Sequence, residues 1–578
     1  MLATGEETRV PHATPTLMGL SQELRREICE HLRSKDLANV CLVNKTLHDA
    51  AVRALYRNIS LKLSDEAGLK RVSNLLSREN PGVDHIQTIR LISPCENNCD
   101  RQFRKQMFSA MMYFLNGLPR DQLKCFSWDS AHTWRADLTT LLLKRQRKLK
   151  YVEIHPTNHE LPCLQQQLED DPGLFKGIEN AESLYFHPKQ MCCLDTAKMM
   201  LKHAKRVKIL KLSNDKLSDE IKQTSTNDEG VVTDPVFTKL FSHFKEPGVD
   251  PLRLTSLSFR HVDFEQTKAN YAQVMVFENL KRLRLNNCYG PELFLESMMQ
   301  PERGCTARLE ELIIRNHQGD REHQLPQTLD AFLASFKGLK NLQLWLVNPG
   351  VLPAPRSITW HGETLETLYV GVRIRPRDPK GNWESYTGPD QLKQLATSLP
   401  HLKQLALSIA DWPNVMQCQI GLTSSDFDTN ILSPLAELPK LQVLNILNWP
   451  AVGADCDMPI DAYRALLRRH ASAFFGAFKE AQVIAQPTTK PDSLRVLVFG
   501  EHKDFENRLD GLNSSDQEPR LPRFVFARGK GKQWWNHTED EVAALCVWEH
   551  QIEDLGVRTD LLKNNFKIRP SWGPEDDW

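Results

Sequence analysis

The hydrophobic pattern that organises most of this chain is short: apolar-x-x-apolar-x-apolar. It is clearest from Leu280 (LKRLRLNNC), Leu309 (LEELIIRN), Leu339 (LKNLQLWL), Leu365 (LETLYV), Leu402 (LKQLAL), Leu441 (LQVLNIL) and Leu494 (LRVLVF). Weaker forms begin at Ile86, Leu123, Leu149, Ala181, Val207, Leu254 and Leu521, which makes about fourteen copies spaced by about 26 to 53 residues. The last two apolar positions are two apart, so they point to the same side of a short strand. Between copies lie segments with helical spacing, such as DAFLASFKGL from Asp330 and PDQLKQLATSLP from Pro389. Strand, helix and strand at this spacing predict parallel strands joined by crossovers. One such unit cannot bury its own apolar face, so neighbours must stack into an α/β solenoid.

A different period governs the N-terminal part. Leu20, Leu24, Ile28 and Leu32 recur every four residues within a charged stretch and predict one face of a helix. Ser34-Lys35-Asp36 interrupts the stripe, with Asp36 as the expected N-cap of a second helix carrying Leu37, Val40 and Val43. A third helix carries Leu47, Ala51 and Leu55. Each of these side chains is worth about 1.5–3 kcal/mol when fully buried. Three helices this short bury only part of that surface themselves, so the solenoid or another protein is expected to cover the rest.

Polar or Pro/Gly-rich inserts break the repeat at residues 213–235, 372–389, 486–492 and 510–522, and all read as loops. Near the C-terminus, Thr538 and Glu541 form a capping box ahead of Val542, Leu545 and Ile552, which predicts a helix covering the open end of the solenoid. Gly529-Lys530-Gly531 reads as a flexible joint. The expected organisation is a disordered segment at 1–16, a helical domain at 17–60, a solenoid at 61–527, and a capping helix with a polar tail at 528–578.

The repeat resembles the leucine-rich repeat, L-x-x-L-x-L-x-x-N/C-x-L, over roughly residues 83–527. Only the copy from Leu280 carries Cys or Asn at the ninth position, Cys288, where the family bonds the turn backbone, so the expected shape is an irregular horseshoe of parallel strands and helices. The N-terminal helices resemble an F-box through Leu20-Ser21-Gln22-Glu23-Leu24, Ile28, Leu32, Asp36-Leu37 and Val43-Asn44-Lys45. Residues 54–61 (ALYRNISL) are similar to the stretch directly after the F-box in many fungal members. Ser21 stands where the family has Pro, which removes the fixed φ favoured at a helix start. The resemblance implies a Skp-family adaptor bound by Leu20, Leu24, Ile28, Leu32, Leu37, Val40, Val43 and Leu47, a cullin scaffold behind it, and a protein substrate held by the repeats for ubiquitination. Two other readings stay open at this point: a repeat scaffold whose N-terminal helices cap the first repeat, and an enzyme on an α/β fold.

Composition narrows the choice a little. The chain has 578 residues, too many for one ordinary core, with 40% apolar and 25% charged residues. Lys+Arg and Asp+Glu both number 73, and a net charge of zero gives no overall reason to expect nucleic acid or membrane as a partner. No apolar run approaches the roughly 18 residues of a membrane span. Thirteen scattered cysteines, some inside apolar patterns such as Cys41 and Cys546, fit buried thiols in a reducing compartment, cytoplasmic or nuclear. The chain carries no phosphate loop, H-E-x-x-H or G-x-S-x-G pattern, so no catalytic residue and no cofactor are expected. Cys95 and Cys99, with Cys192, Cys193 or His85, lack the paired spacing of a structural zinc site, and no metal is expected.

The remaining candidates are the positions between the strand leucines. They alternate with core residues and should face away from the core. In the clearest stretch these are Arg282, Arg284 and Asn286, then Glu311, Ile313 and Arg315, then Asn341, Gln343 and Trp345, then Thr367 and Tyr369. Arg282, Arg284, Arg315, Trp345 and Tyr369 have the composition of a binding hot spot, and the arginines could pair with a phosphate. The alternative is a solvated arginine face with Trp345 packed beneath a loop.

Overall fold

The computed structural model describes residues 17–547 apart from 64, 78, 94–100, 131–133, 155–170, 172, 188–192, 215–235, 265–270, 300–307, 317–323, 348–350, 374–388, 410–426, 449–458, 488–492, 501–522 and 531–541. Beyond these it describes 552, 557, 561 and 562. The expected disordered segment at 1–16, the Cys95–Cys99 pair, the polar tail and most of the inserts lie outside the described residues. The chain divides into two compact units, one within Met1–Val207 and one over Lys208–Ile568.

The first unit begins with helices α1 (Gln22–Glu30), α2 (Ser34–Val43) and α3 (Lys45–Arg57). Ser21 caps α1, its side chain accepting from the Leu24 amide at 3.4 Å, and Asn44 caps α3 through the Leu47 amide at 2.9 Å. Ser21 has φ −61°, so the angle that proline would impose is adopted without it. Asp36 is not the cap of α2. Arg33 holds that position and Asp36 lies in the first turn, where a carboxylate suits the positive end of the helix dipole and meets Arg33 at 3.2 Å. Cys29, Leu37, Ala50 and Ala51 form the small core of these helices, with Leu32, Val40, Cys41, Ala54 and Leu55 packed at its edge. Strands β1 (Asn58–Lys62), β2 (Thr88–Ser93), β3 (Cys125–Ser130), β4 (Tyr151–Ile154) and β5 (Ser183–Phe186) come next, each parallel to its neighbour in sequence.

The second unit repeats the arrangement with β6 (Ile209–Ser213), β7 (Ser256–Arg260), β8 (Arg282–Asn286), β9 (Glu311–Asn316), β10 (Asn341–Val347), β11 (Thr367–Arg373), β12 (Gln404–Leu407), β13 (Val443–Ile446) and β14 (Val496–Phe499). These pair in parallel and in chain order. The register aligns Leu257, Leu283, Leu312, Leu342, Leu368, Leu405, Leu444 and Leu497 in one row. All of them are buried. Helices cover this side of the sheet. Phe294 on the helix Pro291–Met298 meets Phe259 of β7 edge-on at 5.9 Å, and His470 on the helix Ile460–Ala485 meets Phe499 of β14 in the same manner. The mixture is an α/β strand–helix repeat, as the leucine spacing predicts. Cys288 is buried and its thiol donates to the Asn286 carbonyl at 3.5 Å, the turn contact expected of it. Asn448 does similar work with both ends of its amide, bonding the backbone of Ile409 at 2.8 Å in each direction.

The C-terminal end departs from expectation. The strand after Leu521, β15 (Phe524–Lys530), runs antiparallel to β14, and Gly529 and Lys530 belong to it instead of forming a joint. A parallel neighbour needs a crossover that returns the chain to the starting end. Residues 500–523 are mostly polar, and the chain enters β15 from the opposite end of the sheet. The predicted capping helix is also replaced where the structure describes it: Val542–Cys546 form β16, antiparallel to β15. The open edge of β15 outcompetes the local capping signal. The Ala544 amide and carbonyl are bonded by Ser472 and Arg468 of the long helix, and Cys546 is exposed instead of buried.

Two buried histidines make the second unit acid-sensitive. Burial pushes the imidazoles of His361 and His470 down to about 4; at His361 the backbone of Leu333 opposes the shift and Lys337 adds to it. In the unfolded chain each takes up a proton near pH 6.5. Between these values the unfolded state binds more protons, so stability falls as pH falls from 6.5 towards 4, by up to about 3 kcal/mol for each. Thermal unfolding from pH 7.5 to 4.5 should show this decline, and His470→Leu should flatten it. An unchanged slope in the variant would contradict the assignment.

Candidate functional site

Two surfaces carry the residues nominated by the sequence. On the three-helix part of the first unit, the eight residues proposed for adaptor contact separate by burial. Leu24, Ile28 and Val43 are exposed, at 48%, 39% and 65%. Leu20, Leu32 and Val40 are half-buried, and Leu32 and Val40 pack on the helical core. Leu37 and Leu47 are buried, and Leu37 belongs to the core of the helices. Their burial has a simple cause: α2 and α3 need an apolar face towards each other before any is left over. Leu17, Met18 and Leu42 join the exposed group, although the helical stripe does not include them. Leu24 and Ile28 share a helix face one turn apart. Met18 links them to the end of α2, because its carbonyl accepts from Arg25 and its sulfur from the Asn44 amide group at 3.6 Å.

On the second unit, the strand register puts Arg282, Arg284, Asn286, Glu311, Ile313, Arg315, Asn341, Gln343, Trp345, Thr367 and Tyr369 on the face away from the helices, as alternation requires. Their exposure varies along that face. Arg282 is exposed. The Arg284 guanidinium donates to Glu311 at 2.7 Å, with both side chains less than a fifth exposed. Glu311 also accepts from Asn341, Asn341 accepts from Gln343, and Gln343 accepts from Arg315 at 3.4 Å. Burial pushes the Arg315 guanidinium down to about 10; Tyr369 opposes that shift, whereas Arg284, Arg523 and Arg260 reinforce it. Arg284 and Arg315 are thus members of a polar chain that runs from β8 across β9 to β10.

Trp345 and Tyr369 are buried, at 2% and 6% exposure. Their rings stack at 5.4 Å, inside a cluster with Ala406, Leu447 and Leu561. Gly371 belongs to this packing, since a Cβ there would stand 2.9 Å from the Tyr369 ring. The expectation that both aromatics are open to a partner is therefore corrected. Residues near the C-terminus cover them, and beside them Ile552, Val557 and Leu562 cover Val443, Val496, Val498 and Val525.

The same alternation also finds residues on the first unit that the clearest copies do not single out. Arg90 of β2 pairs with Asp129 of β3, and the Ser127 hydroxyl donates to Glu153 of β4, which also accepts from Tyr151 at 3.1 Å. Burial pushes the Glu153 carboxyl up, while the bond from Ser127 pulls the other way; burial and then Glu153 push the Tyr151 hydroxyl up. These groups hold each other across three strands. Among the described residues no group of three or more His, Cys, Asp or Glu is placed to hold a metal ion, and no helix is long and apolar enough to cross a membrane.

No protein-family model and no curated protein matches the chain. Among solved structures, the Rad7 and Elc1 complex of yeast is similar at 13% identity over 59% of this chain and 79% of that chain, with a TM-score of 0.29. A likeness of that size leaves the function to be read from the residues themselves.

Burial separates the roles of two face residues sharply. Trp345→Ala should cost about 3–5 kcal/mol of stability, as for other buried aromatics, whereas Arg282→Ala should stay within about 0.5 kcal/mol of the parent. Urea unfolding of both variants checks this, and equal losses would contradict the burial described.

Proposed function

We propose that this chain is the substrate-recognition subunit of a Skp-cullin-F-box ubiquitin ligase. Its N-terminal helices bind a Skp-family adaptor, its repeat units bind a protein substrate, and ubiquitin transfer is carried out by other subunits. The observation that carries the reading is the exposed apolar group on α1, α2 and the short turn before them: Leu17, Met18, Leu24, Ile28, Leu42 and Val43. Apolar side chains gathered in this way mark a surface that another protein covers. Leu24, Ile28 and Val43 are also the F-box-like positions that the helical core leaves over. The strand–helix repeat supports the second half, because stacked parallel strands present one continuous face to a partner.

Adaptor contact on this reading runs through Leu24, Ile28 and Val43, with Leu20, Leu32 and Val40 at the margin. Replacing Leu24 and Ile28 by Asp places two charges on the interface without entering the core of the helices. Each charge would be buried unpaired on docking, at a cost of several kcal/mol. Purified full-length chain should bind a Skp-family adaptor, and the double variant should lose that binding while its thermal unfolding stays close to the parent's. Undiminished binding by the variant would remove this surface from the interaction. A parent chain that binds no such adaptor would favour the reading as a repeat scaffold without a ubiquitin role.

A further inference from the structure

One row of outward positions runs across the C-terminal ends of β6 to β9. The register sets Ser213 of β6 beside Arg260 of β7, Arg260 beside Asn286 of β8, and Asn286 beside Arg315 of β9. Neighbouring strands lie about 4.8 Å apart, so the backbones at Arg260 and Arg315 stand about 10 Å apart with Asn286 between them. Both arginines are half-buried, whereas Ser213 and Asn286 are buried, at 2% and 4% exposure.

Two separate features of this row point to a ligand. The first is charge. The outward positions of these strands carry Lys211, Arg260, Arg282, Arg284 and Arg315 against a single carboxylate, Glu311. Glu311 is engaged by Arg284 at 2.7 Å. Arg284, Arg523 and Arg260 all lie close enough to Arg315 to make its charge harder to hold. An anion seated in the row offsets that repulsion, because an opposite charge nearby favours the charged form. The second feature is a pair of buried polar atoms. Among the described residues, Ser213 Oγ and Asn286 Oδ1 have no hydrogen-bond partner. Such atoms are costly unless a bound group supplies the bond. The Ser213 hydroxyl rotates, and a half-turn of the Asn286 amide exchanges its two ends, so both can donate to an acceptor held between the arginines.

The donor set also selects the chemistry. Guanidinium forks with an amide and a hydroxyl offer more donors than the about four lone-pair sites of a carboxylate accept. A phosphoryl group, with more acceptor oxygens and a charge of about −1.5 to −2, matches both the donors and the excess of positive charge.

We propose that Ser213, Arg260, Asn286 and Arg315 form a binding site for a phosphoryl group, carried by a phosphorylated side chain or by a small soluble phosphate. Where the group belongs to a protein, the inference rests on the reading of this face as the substrate-binding face.

The test uses the full chain with inorganic phosphate as the probe and chloride at equal ionic strength as the reference. Phosphate should raise the thermal midpoint of the parent along a saturating curve, and chloride should not. Arg260→Gln should weaken phosphate binding at least about tenfold, a difference of about 1.4 kcal/mol. Asn286→Asp separates a ligand site from a purely structural amide. It sets a carboxylate of the same shape between the arginines, so the variant should match or exceed the parent's midpoint and lose the response to phosphate. A structural amide would instead lose stability on gaining a buried charge. A parent without a saturating response overturns the proposal, and so does an undiminished response in either variant. A capped Ala-Ala-phosphoserine-Ala-Ala peptide identifies the source. Binding at least about tenfold tighter than inorganic phosphate assigns the group to a protein chain, and equal affinity assigns it to a small phosphate. Leu24→Asp with Ile28→Asp should leave the phosphate response unchanged, so a failure here is separate from a failure of adaptor binding.

Discussion

A strand paired with neighbours on both edges has two faces left, and each must be either polar or covered. That constraint decides most of what this chain does. In both units the leucine positions fall on the face covered by helices. What remains is the opposite face, and its chemistry differs from strand to strand. Where that face is polar it is tied together by side-chain bonds, as in the chain from Arg284 through Glu311, Asn341 and Gln343 to Arg315. Where it is apolar, it is covered by residues from the C-terminal part of the same unit. The three N-terminal helices obey the same rule incompletely, since Leu37 and Leu47 are buried but Leu24, Ile28 and Val43 are not.

Much of this could be read from the sequence because the relevant forces are local. The leucine spacing places the strands β2 to β14, since period-two alternation and stacking need no information from elsewhere in the chain. The four-residue stripe of α1 and the outward parity of Arg282, Arg284 and Trp345 were legible for the same reason. The burial of Trp345 and Tyr369 was not. It depends on Ala406, Leu447 and Leu561, all far away in sequence, and no local rule announces those contacts. A signal was nevertheless present: VLNI and VLVF are apolar, or nearly so, at every position, the composition of strands buried on both faces. The positions between the leucines of the clearest stretch do not carry that signal.

The other departures arise from competition between local and long-range preferences. Thr538 and Glu541 form a sound helix-start signal, yet Val542–Cys546 pair with β15, because an open strand edge offers five residues a ladder of backbone bonds. Asp36 is a good cap by type, but Arg33 and Ser34 start α2 earlier and leave Asp36 in the first turn. Leu37 and Leu47 read as contact residues from their place in the F-box-like pattern. Pattern alone does not say which apolar positions a three-helix core consumes before a partner arrives.

The central claim is that the outward face of the second unit is closed at its aromatic end by the chain's own C-terminal residues. Hydroxyl-radical footprinting of the intact protein tests it directly, because the unit carries its own reference. Trp345 is 2% exposed and Trp360 is 50% exposed. The account predicts slow oxidation of Trp345 and fast oxidation of Trp360 in the full chain, with Trp345 becoming reactive when residues 549–578 are removed. Oxidation of Trp345 as fast as that of Trp360 in the intact chain would contradict it.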